Sequence, residues 1–351
     1  MKLNDFDYNL PKELIANSHA EPRDHSRLFV FDRKSDKIEH KHFYDIINFL
    51  GEDCLLVFND SKVFKARIYG KKETGGEIEL LLIRPLDDFV WEALIRGKVS
   101  IGDKIFFKDD VNSEILDKKE MIYQVKFCVP TKETFEYLEK EGETPLPPYI
   151  TIENEKSRLE NKEFYQNVYA NKVGSVAAPT AGFHFTEDLL GKIKDKGIEI
   201  LNVTLHVGPG TFLPVKSENV LEHKMHEEFF EVKKDIWNKL INAKKSGKKI
   251  VVVGTTTCRT LESIANMIGL EKTEKDIFGS TDIFIYPPYD FKIVDSLITN
   301  FHLPKSTLLM LVAAFLEPDG LSGIDKIKEL YSEAIDNKYR FYSFGDSMFL
   351  K

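Results

Sequence analysis

Between about residue 63 and residue 128, apolar and polar positions alternate in short runs, at 66–70, 77–82, 91–95 and 103–107, with turn residues such as Gly75-Gly76 and Gly97 between them. Side chains on a strand point alternately to its two faces, so such runs predict strands with one buried face. Their close spacing predicts a small all-β sandwich or barrel. Pro145, Pro147 and Pro148, three prolines within four residues, predict a stiff connector that closes this unit.

On either side the pattern changes. Cys54-Leu55-Leu56-Val57-Phe58 and Ile250-Val251-Val252-Val253 are unbroken apolar runs, as expected of strands covered on both faces. After about residue 174, strand and helix alternate. Thr186 followed by Glu187 and Asp188 reads as a helix cap with acids in the first turn, and Lys196-Gly197 as the stop. Residues 198–206 read as a strand. The 250–253 run empties into Gly254-Thr255-Thr256-Thr257 ahead of a helix from about Arg259 to Ile268. Ile283-Phe284-Ile285-Tyr286 reads as another strand, stopped by Pro287-Pro288, and Ser306 caps an apolar helix over 308–315. This order predicts α/β architecture. The expected organisation is a barrel-like α/β domain of residues 1–62 and 151–351, interrupted by a small all-β barrel inserted at 63–150.

The 351 residues can bury a large core, and the length suits about two domains. With 42% hydrophobic and 30% charged residues the composition is that of an ordinary soluble protein. The longest apolar stretch, 308–316, is too short to span a bilayer, and residues 1–7 lack the apolar core of a signal peptide. Cys54, Cys128 and Cys258 are scattered, with no CxxC and no disulfide framework, which predicts a reducing, cytoplasmic setting. A net charge of −8 argues against a broad nucleic-acid-binding surface but leaves room for a local basic patch. The densest basic cluster, Lys244-Lys245-Ser246-Gly247-Lys248-Lys249, falls between a helix and a strand, where a solvated loop is the ordinary reading.

The candidate chemistry lies in two blocks, residues 174–186 and 204–212, which set His184 and His206 among Gly, Thr and Pro. Such composition suits a cavity wall better than a helix or strand interior. His223 and His226 lie three apart, but without HExxH or a Cys pair, so no metal site is expected. The chain has no GxSxG, GxxxxGK[ST] or GxGxxG. The turn at Gly254-Thr255 could still hold a carboxylate on the free N–H groups of a helix start. Arg259 would reinforce it, or else pair with Glu262 on the same helix. Residues 299–306 could form a polar lip to a site, or simply a helix cap. The aromatic and Arg-containing run at 339–348 could stack bases, or form a core strand. Asn59-Asp60-Ser61-Lys62 is a plain turn, or a place where a carboxylate and an ammonium meet at a strand's end.

Taken together, Asp7-Tyr8-Asn9-Leu10-Pro11, Arg23-Asp24-His25-Ser26-Arg27-Leu28, Val57 to Val63, Pro145-Leu146-Pro147-Pro148-Tyr149-Ile150, the two histidine blocks, His223 to Glu228, Val253-Gly254-Thr255-Thr256, Arg259-Thr260-Leu261-Glu262, Asp282-Ile283-Phe284-Ile285, Thr299 to Ser306, Tyr339-Arg340-Phe341 and Gly345-Asp346-Ser347-Met348 resemble the S-adenosylmethionine:tRNA ribosyltransferase-isomerase family of the queuosine pathway. The resemblance runs nearly end to end. Two small departures, Phe183 for Leu and Pro288 for Gly, remove no reactive group.

The resemblance implies an α/β barrel-like domain with an inserted β-barrel. It implies S-adenosylmethionine as a ribosyl donor and no metal. It implies a tRNA substrate whose wobble base carries an aminomethyl group, and release of adenine and methionine. A ribosyl carbon beside a sulfonium must lose a proton, so a neutral histidine or a carboxylate is needed. His184, His206 and Asp60 are the candidates. Thr180, Gly182, Phe183, Gly208, Gly210 and Thr211 would shape the donor pocket, with Phe183 or Phe212 against the sulfonium. Gly254, Thr255 and Arg259 would take the methionine carboxylate. Lys62, Arg67, Lys305 and Arg340 would grip tRNA phosphates at the junction of the two domains, and a monomer is expected. From the residues alone, two other classes stay open: a histidine-metal hydrolase on an α/β barrel, and a non-catalytic RNA-binding protein using the β unit and the aromatic tail.

Overall fold

The chain enters its large sheet earlier than the apolar runs predict. In the computed structural model, which describes residues 1–147, 150, 164–212, 215, 217–317 and 322–351, with the side chains of Thr211 and Phe212 outside that description, β1 (Arg27–Asp32) and β2 (Lys37–His42) precede β3 (Cys54–Asn59). Along the chain follow β4 (Ser61–Val63), β5 (Arg67–Lys72), β6 (Glu77–Pro85), β7 (Val90–Arg96), β8 (Lys104–Phe106), β9 (Asn112–Lys119), β10 (Ile122–Phe127) and α1 (Thr131–Glu141). Next come β11 (Lys172–Ser175), α2 (Glu187–Asp195), β12 (Glu199–His206), β13 (Glu228–Val232), α3 (Lys234–Lys245), β14 (Lys249–Val253) and α4 (Thr255–Ile268). The remaining elements are β15 (Ile277–Thr281), β16 (Ser296–Asn300), α5 (Thr307–Leu316), α6 (Gly323–Asp336) and β17 (Ser347–Leu350).

Nine strands form one mixed sheet in the order β15-β13-β12-β3-β14-β16-β17-β1-β2. Its centre, β12-β3-β14-β16, is parallel. The unbroken apolar runs have the expected cause. Leu55 and Val57 pack into one core with Ile250 and Val252, while Leu56 and Phe58 pack into a second core on the other face with Val251 and Val253. A strand covered on both faces has no polar side to present.

The alternating region forms a separate closed barrel, β10-β7-β6-β5-β8-β9, with every pairing antiparallel. Its interior holds Ile68, Ile78, Leu80, Leu82, Trp91, Ala93, Ile105, Ile115 and Val125, with Leu138 of α1 against them. Phe64, just before β5, belongs to this interior, so the chain changes core at the end of β4. The inserted barrel and the α/β frame are therefore as the sequence predicts. Of the 145–148 connector, Pro148 lies outside the described residues.

Two expectations about elements need correction. Residues 283–286 form no strand; the strand lies earlier, at Ile277–Thr281, where it pairs with β13. The apolar run 283–286 is instead coil packed on the core. The helix expected from Arg259 begins at Thr255, because Gly254 at φ 89° turns the chain directly from β14 into the helix.

Candidate functional site

The carboxyl ends of the parallel strands converge. β3 ends at Asn59, β12 at His206, β14 at the Gly254 turn and β16 at Asn300. Asn59 ties three of these ends together. Its Oδ1 accepts the Leu205 N–H at 3.0 Å, and its Nδ2 donates to Leu205 O at 3.0 Å and to Thr256 Oγ1 at 3.3 Å. Open α/β sheets bind ligands at this edge.

An inner cavity of about 90 Å³ lies there, lined among others by Thr180, Gly254, Thr255, Asn300, His302 and Ser343. Among the described residues no charged side chain lines it. The start of α4 opens on it, and Gly254 offers no capping side chain, so the first N–H groups of a fourteen-residue helix face the cavity side uncapped. Such groups favour an anion.

A second, larger groove of about 1140 Å³ runs between the barrel and the large sheet. Its walls include Arg84 and Glu92 from the barrel, and His206, Gly208, His226 and Glu228 from the sheet side. Arg84 spans the groove, pairing with Glu92 at 2.6 Å and stacking over Phe229 at 4.3 Å. Val207 belongs to the walls of both cavities.

The predicted donor residues divide between these spaces. Thr180, Gly254 and Thr255 line the inner cavity, and Gly208 lines the groove. Gly210 sits against His226, where a Cβ would come within 2.7 Å of the ring. Gly182 faces neither cavity; a Cβ there would lie 1.8 Å from the Tyr169 hydroxyl. Phe183 is buried in a separate aromatic cluster with Tyr165 and Phe344, beside His19 at 4.9 Å and Arg23 at 5.6 Å. Thr211's side chain lies outside the described residues.

Arg259 is buried, and its expected partner needs correction. It pairs with Glu228, not Glu262, and also donates to Ile283 O at 3.3 Å. Glu262 is taken up by the N–H groups of Lys292, Ile293 and Val294 at 2.9–3.1 Å. The two residues are neighbours on α4, yet each faces a different packed segment. Glu228 in turn accepts the Gly208 N–H at 3.0 Å.

The three proton-transfer candidates differ in surroundings. His184 is 3% exposed, with Ser26 Oγ 2.8 Å from Nδ1 and Asn300 Nδ2 3.1 Å from Nε2. Asn300 Nδ2 also donates to Tyr342 O at 3.4 Å, while its Oδ1 lies 2.9 Å from the Thr180 hydroxyl; with the amide so oriented its NH₂ faces the ring and the imidazole proton belongs on Nδ1. Burial, with Arg340 and Arg23 nearby, lowers the His184 pKa to about 3. His206 lines the groove; Gly174 lies against its ring and its buried Nδ1 has no hydrogen-bond partner among the described residues. Burial lowers its pKa, against Glu231 and Asp60. Asp60 is buried and accepts the Thr204 hydroxyl at 2.6 Å; burial raises its pKa. The histidine on the inner wall is His302, which the sequence signals only through its place in the 299–306 block.

The basic candidates are unequal. Arg67 pairs with Glu79 at 3.1 Å, Lys305 with Asp7 at 2.9 Å and Arg340 with Asp346 at 3.5 Å. Lys62 is exposed on β4 and makes no ion pair among the described residues. In the 244–249 cluster, Lys244 and Lys245 are paired with Asp295 and Glu271. Of the aromatic run, Tyr339, Phe341 and Phe344 are buried, which is the core reading and not a stacking surface. Among the described residues no group of three or more His, Cys, Asp or Glu is placed to hold a metal ion, and no helix is long and apolar enough to cross a membrane.

A family model described as a queuosine biosynthesis protein matches residues 3–350. The S-adenosylmethionine:tRNA ribosyltransferase-isomerase of Thermosipho melanesiensis is 52% identical over 353 residues, covering 100% of both chains. Its counterpart from a Sulfurihydrogenibium species is 50% identical over 100% of both chains. The crystal structure of the S-adenosylmethionine tRNA ribosyltransferase from Thermotoga maritima is similar at a TM-score of 0.56 and 38% identity, covering 99% of this chain and 100% of that one.

Proposed function

Because the chain belongs to the queuosine biosynthesis protein family, we propose that it transfers and isomerises the ribosyl moiety of S-adenosylmethionine onto the aminomethyl-deazaguanine wobble base of tRNA, giving epoxyqueuosine-tRNA with release of adenine and methionine. The observation that carries this reading is the uncapped start of α4, beside a cavity that no charged side chain lines among the described residues. It suits a ligand that brings its own carboxylate and its own cation. The Gly254 N–H is taken by Ile298 O at 2.8 Å, so the methionine carboxylate meets the N–H groups of Thr255 and Thr256 across the Gly254 turn, and the sulfonium meets no competing positive charge. Arg259 contributes through Glu228 by holding the Gly208 turn.

The inner cavity is smaller than the ~300–1,000 Å³ usual for a cofactor-sized ligand. It receives one end of the donor, and the groove beyond Val207 receives the rest together with the flipped wobble base. His206 faces that base, His184 acts through Asn300 and Thr180, and Asp60 stands behind His206. Residues 1–62 and 151–351 form the catalytic domain and 63–150 the inserted one. Lys62 leads the contacts to phosphate. The protein works as a cytoplasmic monomer without a metal.

The test is incubation with S-adenosylmethionine and tRNA carrying the aminomethyl-deazaguanine base. Adenine and methionine should appear in equal amounts, with a matching mass gain at the anticodon. S-adenosylhomocysteine at a comparable rate would refute the reading. A donor analogue lacking its carboxylate should bind more weakly by about 1.5–3 kcal/mol, the range for hydrogen bonds to a charged group.

A further inference from the structure

We infer that His302 is the residue that takes the proton from the ribosyl carbon beside the sulfonium, an inference that rests on the function proposed above. His184 closes a short turn before α2, His206 ends β12 and His302 follows β16, and among the described residues His302 alone of the three lines the inner cavity. His184 has both ring nitrogens engaged and does not line the cavity. His206 lines the outer groove instead. His302 lines the inner cavity together with Thr255 and Thr256, the residues proposed to hold the donor carboxylate.

His302 is held at three points, one on the ring and two on its backbone. Its Nε2 lies 2.8 Å from Thr299 Oγ1, its backbone N–H donates to the Tyr331 hydroxyl at 2.9 Å, and its carbonyl accepts the Tyr8 hydroxyl. The Nδ1 makes no hydrogen bond among the described residues, and it is not sealed among the buried unpartnered atoms. A ring fixed at one nitrogen and unpartnered at the other, on a residue that lines a ligand cavity, is arranged to move a proton. The role uses the tautomer in which Nε2–H is donated to Thr299 Oγ1, which leaves the lone pair on Nδ1.

Burial lowers the His302 pKa to about 3, so the ring is neutral near pH 7 and does not repel a sulfonium. The transfer is balanced within the cavity. The ribosyl C–H bond breaks, the proton joins Nδ1, and the electron pair stays on the carbon beside sulfur. The sulfonium becomes a neutral ylide as the imidazole becomes a cation. The cavity's net charge does not change, so the burial that opposes uptake of a proton from water does not oppose this exchange to first order.

The experiment measures adenine release by the full-length protein with wobble-modified tRNA, using S-adenosylmethionine with and without deuterium at the ribosyl carbon next to sulfur. His302→Gln should lower turnover about a hundredfold or more and enlarge the deuterium isotope effect. Donor affinity by direct titration should stay within about threefold, because the loss lies in the transition state. Turnover within about threefold of wild type, or a parallel fall in donor affinity with an unchanged isotope effect, would overturn the inference. If His302→Gln does not fold, Thr299→Val takes its place. A loss of about tenfold with a larger isotope effect supports the role, and a wild-type rate overturns it. A wild-type protein that releases no adenine would refute the proposed function itself, whatever the variants do.

Discussion

Arg259 and Glu228 form an ion pair inside the protein, at 5% and 4% side-chain exposure, and the same carboxylate accepts the Gly208 N–H. One buried contact thus joins the helix after β14, the strand β13 and the turn after β12. These are three of the sequence blocks that carry the family resemblance. Arg259 reaches the groove only through its partner.

Removing one member of such a pair leaves a buried charge without compensation. Arg259→Ala should therefore lower unfolding stability by about 3–5 kcal/mol, measured as a shift in the urea midpoint. Donor affinity in the folded fraction should change less than stability. A variant that unfolds like wild type but binds donor poorly would return Arg259 to direct contact with the carboxylate.

His184 and His302 both have pKa values lowered from 6.5 to about 3 by burial. Between those values the unfolded chain binds more protons than the folded one. Their contribution is complete above about pH 6.5 and is lost as the pH falls toward 3, each costing on the order of 1.4 kcal/mol per pH unit. Urea midpoints taken from pH 7 down to pH 5 should fall accordingly, and His184→Asn should flatten the slope by one histidine's share. A midpoint independent of pH over this range would show that neither ring is buried neutral.

Lys62 is the one tRNA-contact candidate of the four without an ion pair among the described residues. Lys62→Ala should reduce the salt slope of tRNA binding by about one unit or less. Arg67→Ala and Arg340→Ala should reduce it less, because Glu79 and Asp346 already occupy those cations. Equal slopes for Lys62→Ala and wild type would move the phosphate contact elsewhere.

Gly182 is explained by packing. An added Cβ would lie 1.8 Å from the Tyr169 hydroxyl and 2.6 Å from Asn167 Oδ1. Asn167 is buried and Tyr169 half-buried, packed on the second core, so Gly182→Ala should cost about 1–3 kcal/mol of stability, the usual range for overpacking. Thermal unfolding measures this. A fully stable variant with weakened donor binding would instead place Gly182 in the donor pocket.

Much of this was legible in the sequence where the signal is local. The alternation that builds β5 to β7 and the unbroken runs of β3 and β14 each follow from which faces are covered. Thr186 and Ser306 cap their helices as expected, accepting the N–H of Leu189 and Leu309 at 3.2 Å. The 283–286 run misled because apolar coil and strand share a composition, and only a partner distinguishes them. Thr180, Gly254 and Thr255 were legible as cavity residues from their small size and turn context. His302 was not, because which imidazole faces the cavity depends on how β16 sits beside β14. The Glu228 partner of Arg259 was hidden for the same reason: it lies 31 residues away in sequence, whereas Glu262 is one helical turn away.

β17 lies between β16 and β1, so the β1–β2 hairpin joins the large sheet only through residues 347–350. On the ribosome, Leu28 to Phe31 emerge early and have no neighbouring strand but β2 until synthesis has reached Ser347. At ordinary elongation rates of ~5–20 residues per second that wait lasts roughly 15–60 s. The barrel strands, contiguous from Arg67 to Phe127, can close long before. The nascent chain therefore carries a finished β-barrel between two halves of an unfinished sheet. For that interval the apolar β1 strand is exposed to chaperones and to mispairing.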